Sequence, residues 1–302
     1  MKDLAIIIPA YKSTYLREAL QSIASQTCKD FTLYIGDDCS PYNIRDIVSS
    51  FTDKINIVYK RFDTNLGGIN LVKQWERCIA LSNNEKWLWL FSDDDMMEPT
   101  CVETFYKAIK ETKSQYDIYH FDVNIINETN TIIRIPPQYP QNLDAFTYYK
   151  KKLTGNIISL VVENIFSREV YNRTGGFEVF DLAWGSDTAT WVKFATPKTM
   201  YTIYESKVLW RSSGENISPN NSNPIVLRKI QALNEFFSWA YNYFQIHGGR
   251  CITLINIKAF IQRMRLFRSY ISTEDLDLTV KSFSKIHHIS WSSTIIKALI
   301  KI

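Results

Sequence analysis

The chain reads as an α/β protein with a mostly parallel central sheet flanked by helices, and with a helical segment added at its C-terminus. Three observations predict this. Through roughly the first ninety positions, short apolar runs alternate with helix-spaced segments of about ten residues, the pattern of βαβ units. Polar residues close several of those runs, at the strand ends where such sheets bind ligands. From Ile225 onward the apolar residues fall at helical spacing.

The elements follow in order. Leu4–Ile8 opens as a strand, followed by a helix near Thr14–Ala24 and a strand at Phe31–Ile35. A helix near Asn43–Phe51, a strand at Ile55–Tyr59 and a helix near Ile69–Leu81 lead to the strand Trp87–Phe91. Its apolar residues show no alternation, as expected of a strand covered on both faces. Pro99 opens a helix over Thr100–Lys113. Asp117–Val123 reads as a strand, Pro136–Pro140 as a loop, Ile157–Val162 as a strand and Thr188–Ala195 as a helix. Two C-terminal helices, Ile225–Gln245 and Leu254–Tyr270, are separated by Gly248-Gly249, and Pro219–Pro224 is the linker before them. The expected organisation is a domain over 1–218 and a helical segment over 225–302.

A chain of 302 residues can bury one large core, or a domain with a smaller appendage. With 45% hydrophobic and 22% charged residues the composition is globular. The net charge of +4 conceals an asymmetry: residues 225–302 carry +7 and residues 1–224 carry −3. A basic segment suits an anionic membrane surface or lipid phosphate, and equally a solvated helix face. Arg263, Arg265 and Arg268 beside Leu266, Phe267 and Tyr270, with the apolar end Trp291–Ile302, are the residues for such a membrane contact. The alternative is that these helices complete the core or a homodimer interface. Five widely spaced cysteines without C-x-x-C argue against a disulfide framework and a zinc site, and fit a reduced cytoplasmic compartment. Lys2-Asp3 runs directly into a strand, so no signal peptide is expected. No apolar run approaches the ~18–20 residues that span a bilayer. The expected location is cytoplasmic, soluble or peripheral at the inner face of the membrane, with no nucleic-acid partner.

Ser92-Asp93-Asp94-Asp95 closes the Trp87–Phe91 strand. Three adjacent carboxylates repel one another unless positive charge sits among them, and a divalent cation holding phosphate oxygens meets that need. A solvated acidic turn with an N-cap ahead of Pro99 satisfies the same residues. Asp37-Asp38 closes a second apolar strand and Pro9-Ala10-Tyr11 a third, so three polar elements converge on one sheet edge. Tyr11 offers a ring to stack on a nucleobase. Asp38 offers an acceptor for a base N–H, a contact that separates uracil or thymine from other bases. Ser40 is the better N-cap for the helix from Asn43. Asn65 and Gly67 form an N-x-G turn.

In order and spacing these residues resemble the family-2 inverting glycosyltransferases of GT-A fold, over roughly residues 1–218. Ile6–Tyr11 is similar to the family's first-strand signature, Ser22–Thr27 to its first helix, and Tyr34–Ser40 to its D-D-x-S motif. Asn65–Gly68 is similar to its N-x-G loop, Ser92–Asp95 with Pro99 to its D-x-D region, and Gly175-Gly176-Phe177 with Asp187 to its acceptor-side motifs. The resemblance implies a nucleoside-diphosphate sugar donor, UDP- or dTDP-type, against Pro9, Ala10, Tyr11, Asp38, Asn65 and Gly67. It implies Asp93 on the ribose, Asp94 on Mg²⁺ or Mn²⁺ and Asp95 in support, although Asp93 and Asp95 also satisfy D-x-D as an outer pair. It implies a glycan or lipid-linked acceptor whose hydroxyl proton passes to Asp187. Trp184 and Trp191 flank Asp187 as rings for a sugar face. The plainer reading makes Asp187 the cap of Thr188–Ala195 with both Trp in the core, and Glu163 and Glu178 are the reserve bases. The family often has a His in the stretch matching Trp210–Ser218; none stands here, which leaves Arg211 as the phosphate contact.

A nicotinamide enzyme would need G-x-G-x-x-G after the first strand, where this chain has Pro9-Ala-Tyr-Lys-Ser. A sugar nucleotidyltransferase would need a Gly-rich phosphate loop near its start, which is missing. A degenerate domain that binds nucleotide sugar or glycan without turnover is the non-enzymatic alternative. The joint presence of Asp38, Asp94 and Asp187 argues against it.

Overall fold

A computed structural model of the chain describes residues 2–214, 222–248, 251–289 and 292–301. Half of the expected linker 219–224, residues 219–221, lies outside the described residues, as do 215–218, Gly249, Trp291 and Ile302.

Strands β1 (Leu4–Ala10), β2 (Phe31–Asp37), β3 (Ile57–Arg61) and β4 (Trp87–Leu90) pair in parallel in the order β3-β2-β1-β4. Helices α1 (Leu16–Ala24), α2 (Ile44–Ser49) and α3 (Leu71–Ile79) connect them. Ala5, Ile7, Leu88 and Leu90 enter one hydrophobic cluster, and Leu4, Ile6, Trp87 and Trp89 the other. The two-residue alternation therefore runs between two apolar layers, which is why Trp87–Phe91 shows no polar partner face. The cap of α2 is Asn43, which accepts from Asp46 N at 3.3 Å. Ser40 does not cap it, because its hydroxyl donates to the Tyr11 carbonyl at 2.6 Å.

Beyond β4 the sheet is mixed. It continues through β5 (Met96–Met97), β6 (Ile118–Ile126), β7 (Ile132–Arg134), β8 (Asn142–Leu143), β9 (Asn164–Ser167) and β10 (Met200–Arg211). Helices α4 (Cys101–Glu111), α5 (Ala145–Leu153), α6 (Arg168–Thr174) and α7 (Ser186–Phe194) lie between these strands. The order β3-β2-β1-β4-β9-β6-β10-β5 places β9 antiparallel to both β4 and β6, and β10 parallel to β6. The strand expected at Ile157–Val162 is a loop, and the strand begins only at Asn164. The backbone of that loop is claimed by side chains: Glu163 Oε1 accepts from Leu160 N (2.6 Å), and the Trp89 and Trp191 indoles donate to Val162 and Leu160 carbonyls. A backbone satisfied in this way has no need of a ladder.

At the C-terminus stand α8 (Asn223–Ile246), α9 (Thr253–Phe267), α10 (Thr273–Ile286) and α11 (Ser293–Lys301). Their Phe236, Phe237, Phe260, Met264 and Phe283 share one hydrophobic cluster with Tyr148, Tyr149 and Trp191 of α5 and α7. Each such side chain contributes about 1.5–3 kcal/mol of burial. Tyr149 also donates to Asn256 of α9 at 2.5 Å. The three arginines expected to form one interfacial cluster are dispersed. Arg265 and Arg268 donate to the Leu299 and Lys301 carbonyls at the end of α11, where cations are favoured, and Phe267 is buried. Arg263 turns to the cleft described next. No helix among the described residues is long and apolar enough to cross a membrane.

Candidate active site

The carboxyl ends of β1, β2 and β4 open onto a cleft of about 730 Å³, closed on its far side by α5, α7, α8 and α9. Of the expected site residues, Pro9, Tyr11, Asp38, Asn65, Gly67, Asp93, Asp94, Asp95 and Asp187 line it. Ala10 acts from behind, its carbonyl accepting from Asp38 N at 2.9 Å.

The β1 end is tied to the acidic turn. Asp93 Oδ2 accepts from the N–H groups of Tyr11 (2.8 Å) and Lys12 (2.7 Å). With its backbone pinned, the Tyr11 ring stays 40% exposed at the cleft, free to stack. Lys12 Nζ pairs with Asp94 Oδ2 at 3.1 Å, and Ser92 and Ser213 hydroxyls donate to the same carboxylate. The turn thus carries its own cation, a residue the sequence reading passed over although it adjoins Tyr11. Burial, and then the neighbouring Asp94 carboxylate, push Asp93 up to about 6 and Asp95 well above the usual carboxylate range.

Arg211 is not where a phosphate contact would have to be. It is fully buried, outside the residues that line the cleft, and donates from Nε to the Asp94 carbonyl (2.8 Å) and from Nη1 to the Asn127 carbonyl (3.0 Å). Its Nη2 pairs with Glu18 at 2.8 Å, its guanidinium lies 4.2 Å from the Tyr15 ring, and its own N–H donates to Asp95 (2.7 Å). The phosphate role expected for Arg211 is therefore replaced by a structural one: it clamps the acidic turn to the end of β10. The Asp95 carboxylate is spent on the same clamp.

Asp38 is likewise engaged. Its oxygens accept from Leu66 N and Gly67 N, each at 2.7 Å, and from Arg77. A carboxylate offers about four lone-pair sites, so one remains for a ligand. Gly67 is required by this close approach, since a Cβ there would stand 2.6 Å from Asp38 Oδ2. Asn65 Oδ1 closes the turn by accepting from Gly68 N at 2.7 Å. Asp37 serves the fold alone, fully buried against Tyr59, Arg61 and Ser40 N.

Across the cleft, Gly175 ends α6 in a left-handed turn, and Gly176, also at positive φ, lies against Glu76 of α3. The chain then enters a loop in which Leu182 (φ 55°) and Ala183 (φ 54°) are left-handed and line the cleft. For non-glycine residues that conformation costs about 1 kcal/mol or more each. α8 holds the loop in place through a bidentate Arg228–Asp181 pair and a cation–π contact of Lys229 with Trp184 at 4.6 Å.

Asp187 sits in the first turn of α7 and faces the cleft. It does not cap the helix, because Gly185 holds the cap position with no side-chain bond. It accepts from Thr188 Oγ1 at 3.3 Å, and the backbone N–H groups of Asp187 and Thr188 also favour its charged form. Burial raises its pKa, with Lys152 opposing. Trp184 lines the cleft, whereas Trp191 is wholly buried in the core. Neither reserve base lines the cleft: Glu163 is fully buried on Ser159 and Leu160, and Glu178 pairs with Lys193 at 2.8 Å. Lys152 and Arg263 also line this wall, and no motif or local spacing marks either for it.

A sheet that is parallel through β3-β2-β1-β4 and mixed beyond it, with an acidic turn at the carboxyl end of β4, is of GT-A type. The chain belongs to glycosyl transferase family 2, whose model matches residues 5–175. It is 30% identical over 142 residues to the poly(ribitol-phosphate) β-N-acetylglucosaminyltransferase TarS of Staphylococcus aureus, which covers 46% of this chain and 23% of that protein. The chain thus spans under a quarter of that relative's length. An uncharacterized glycosyltransferase of Rickettsia typhi is 23% identical, covering 88% of this chain and 82% of that one. The fold is similar to a crystal structure of S. aureus TarS residues 1–349 with UDP-GlcNAc, at TM-score 0.60 and 16% identity over 98% of this chain and 92% of that one. It is also similar to a mannosyltransferase of Pyrobaculum calidifontis with GDP-Man and Mn²⁺, at TM-score 0.52 and 13% identity over 98% and 85%.

Proposed function

We propose that the protein transfers a sugar from a uridine (or thymidine) diphosphate-sugar to an acceptor hydroxyl with inversion. Residues 1–218 supply the donor site and the base, and residues 225–302 complete the acceptor wall. The observation that carries this reading is Asp187: a carboxylate that faces the cleft from the first turn of α7 and is raised in pKa by burial, in the same cleft as the acidic turn. A base needs that combination, since its lone pair is available and its proton affinity lies closer to neutrality.

In the balanced step, the acceptor oxygen forms a bond to the anomeric carbon as the bond from that carbon to the phosphate oxygen breaks. The hydroxyl proton passes to Asp187, and the electron pair leaves with the diphosphate. Tyr11 stacks on the base and Asp38 uses its remaining lone pair on the base N–H. Asp93 Oδ1, which carries no hydrogen bond among the described residues, is the oxygen available to the ribose.

Mg²⁺ or Mn²⁺ fits this donor set in one way. Among the described residues no three His, Cys, Asp or Glu side chains are arranged to hold a metal by themselves. Asp94 is the acidic-turn carboxylate held by side chains alone, with Lys12 as its ion-pair partner. One carboxylate plus phosphate oxygens suffices for such cations, so Asp94 would hold the ion and the ion would neutralise the leaving diphosphate. The mannosyltransferase and TarS complexes named above contain GDP-Man with Mn²⁺ and UDP-GlcNAc respectively; Asp38 favours the uridine type here. Calorimetry with UDP and GDP, followed by NMR of the anomeric product from UDP-GlcNAc with Mn²⁺, tests the reading. Preference for UDP and an inverted product are expected. Equal affinities would remove the base-reading role, and tight binding without any turnover would leave a binding domain.

A further inference from the structure

The acidic turn already holds a cation, Lys12, whose charge has no part in the step written above. The two ends of this residue are under different control. Its backbone is fixed, because Lys12 N donates to Asp93 Oδ2 at 2.7 Å, next to the bond from Tyr11 N to the same oxygen at 2.8 Å. Its side chain lines the cleft, is 30% exposed, and reaches the buried Asp94 Oδ2 at 3.1 Å. An ammonium is a compact point charge on a flexible four-carbon stem, so rotamer changes can re-aim it while the pinned backbone stays in place. Asp94 is close to saturation: Lys12 and the Ser213 hydroxyl meet Oδ2 and the Ser92 hydroxyl meets Oδ1, three donors on about four lone-pair sites. A divalent ion on Oδ2 would share one oxygen with the Lys12 ammonium, and the two cations repel. Lys12 is therefore driven off Asp94 when that oxygen takes a metal. Tyr11 and Asp93, proposed for the base and the ribose, adjoin Lys12, so the anion that arrives beside it is the diphosphate of the donor.

We propose that Lys12 is a diphosphate-binding residue that exchanges partners. Before the donor binds, its ammonium neutralises Asp94. In the loaded site it transfers to the phosphate oxygens of the donor and leaves Asp94 Oδ2 to the metal. This rests on the donor reading above, and adds to that site a residue that no motif marks. Two properties follow. Lys12 gives the site an affinity for diphosphate that does not depend on metal. It also makes Asp94 a poor metal ligand until nucleotide is present, so that metal and nucleotide each strengthen the binding of the other.

The test measures binding by calorimetry on the full chain, using Mn²⁺ alone, UDP in excess chelator and uridine in excess chelator, for wild type, Lys12→Gln and Lys12→Arg. Wild type should bind UDP more tightly than uridine in chelator. Lys12→Gln should lose at least about tenfold in UDP affinity there, the order of one charge-assisted hydrogen bond, with uridine affinity unchanged. Lys12→Arg should retain most of the UDP affinity. Mn²⁺ alone should bind Lys12→Gln several-fold more tightly than wild type, a gain that loss of a merely structural contact would not produce. Failure of the wild type to bind UDP even with Mn²⁺ would sink the donor reading. Wild type that binds UDP only with Mn²⁺, equal UDP affinities in wild type and Lys12→Gln, or an equal loss for uridine would overturn the present inference alone. So would Mn²⁺ affinity that is unchanged or weaker in Lys12→Gln. Because Lys12→Gln takes from buried Asp94 its cation, Asp94→Asn is also compared with the double variant Lys12→Gln/Asp94→Asn. The double variant should bind UDP in chelator about tenfold more weakly. Equal affinities in that pair would again overturn the proposal.

Discussion

The two walls of the cleft are built on different principles. On the wall proposed for the donor, the carboxylates are anchored: Asp38 by two loop N–H groups and Arg77, Asp93 by two more, Asp95 by Arg211 N. On the opposite wall Asp187 is held only by groups of its own helix turn, among them the Thr188 hydroxyl at 3.3 Å, and the backbone leading to it is left-handed at Leu182, Ala183 and Gly185. The difference teaches what each wall is for. In the proposed reading, anchored carboxylates make a rigid cradle for a ligand that must be positioned, whereas a base keeps a lone pair accessible and its proton affinity high. The left-handed loop ahead of Asp187 needs outside support, and α8 and α9 give it through the Arg228–Asp181 pair and the Trp184 contacts.

The largest effect should come from Asp187. Asp187→Asn is expected to lower turnover by about 10²–10⁴-fold, the usual share of a positioned base, with UDP affinity unaffected. Because burial raises the Asp187 pKa, the acid limb of the wild-type rate profile should lie above the ordinary aspartate value of about 3.9. The sign follows from the role: protonated Asp187 cannot accept, so turnover falls as pH drops through that value. A limb that survives in Asp187→Asn would remove this assignment.

Next comes the anchored turn. Asp94→Asn, or chelation of the wild type, should reduce turnover by roughly tenfold or more, at least about 1.4 kcal/mol in barrier, and the wild type should recover with Mn²⁺. Undiminished rates in excess chelator would make the acidic turn structural. Arg211→Met separates anchor from ligand contact. It should lower unfolding stability by about 1.5–3 kcal/mol, the range for charged hydrogen bonds, in chemical denaturation. A variant of wild-type stability with selectively weak UDP binding would restore the phosphate role. Gly67→Ala should give the smallest change, about 1 kcal/mol, as the added methyl pushes the loop off Asp38 and loosens stability and UDP binding together. No change in either would mean that the loop is not part of the cradle.

Much of the anchored wall could be read without coordinates. Tyr11, Asp38, Asn65 and Asp93–Asp95 lie within the first 95 residues, at the ends of strands that pair in parallel with their neighbours. A parallel sheet with short crossovers brings consecutive strand ends to one edge, so local pattern and topology together determine where such residues meet. The apolar runs, the helix periods and the convergence of three polar elements were therefore properties of the sequence itself.

Side-chain commitments were decided elsewhere. Asp37 and Asp38 are adjacent and chemically identical, yet one is consumed by β3 while the other faces the cleft. Arg211 and Arg263 both looked able to meet an anion, and packing buried the first behind the acidic turn and set the second on the cleft wall. Glu163 and Asp187 are both acidic residues beside aromatic ones, but the loop at 157–163 wraps the former out of reach. The physical reason is common to all three. A charged side chain goes where long-range contacts let its hydrogen bonds be met, and for the wall that carries Asp187 those contacts join segments more than 100 residues apart, such as α5 and α9, which no local pattern encodes.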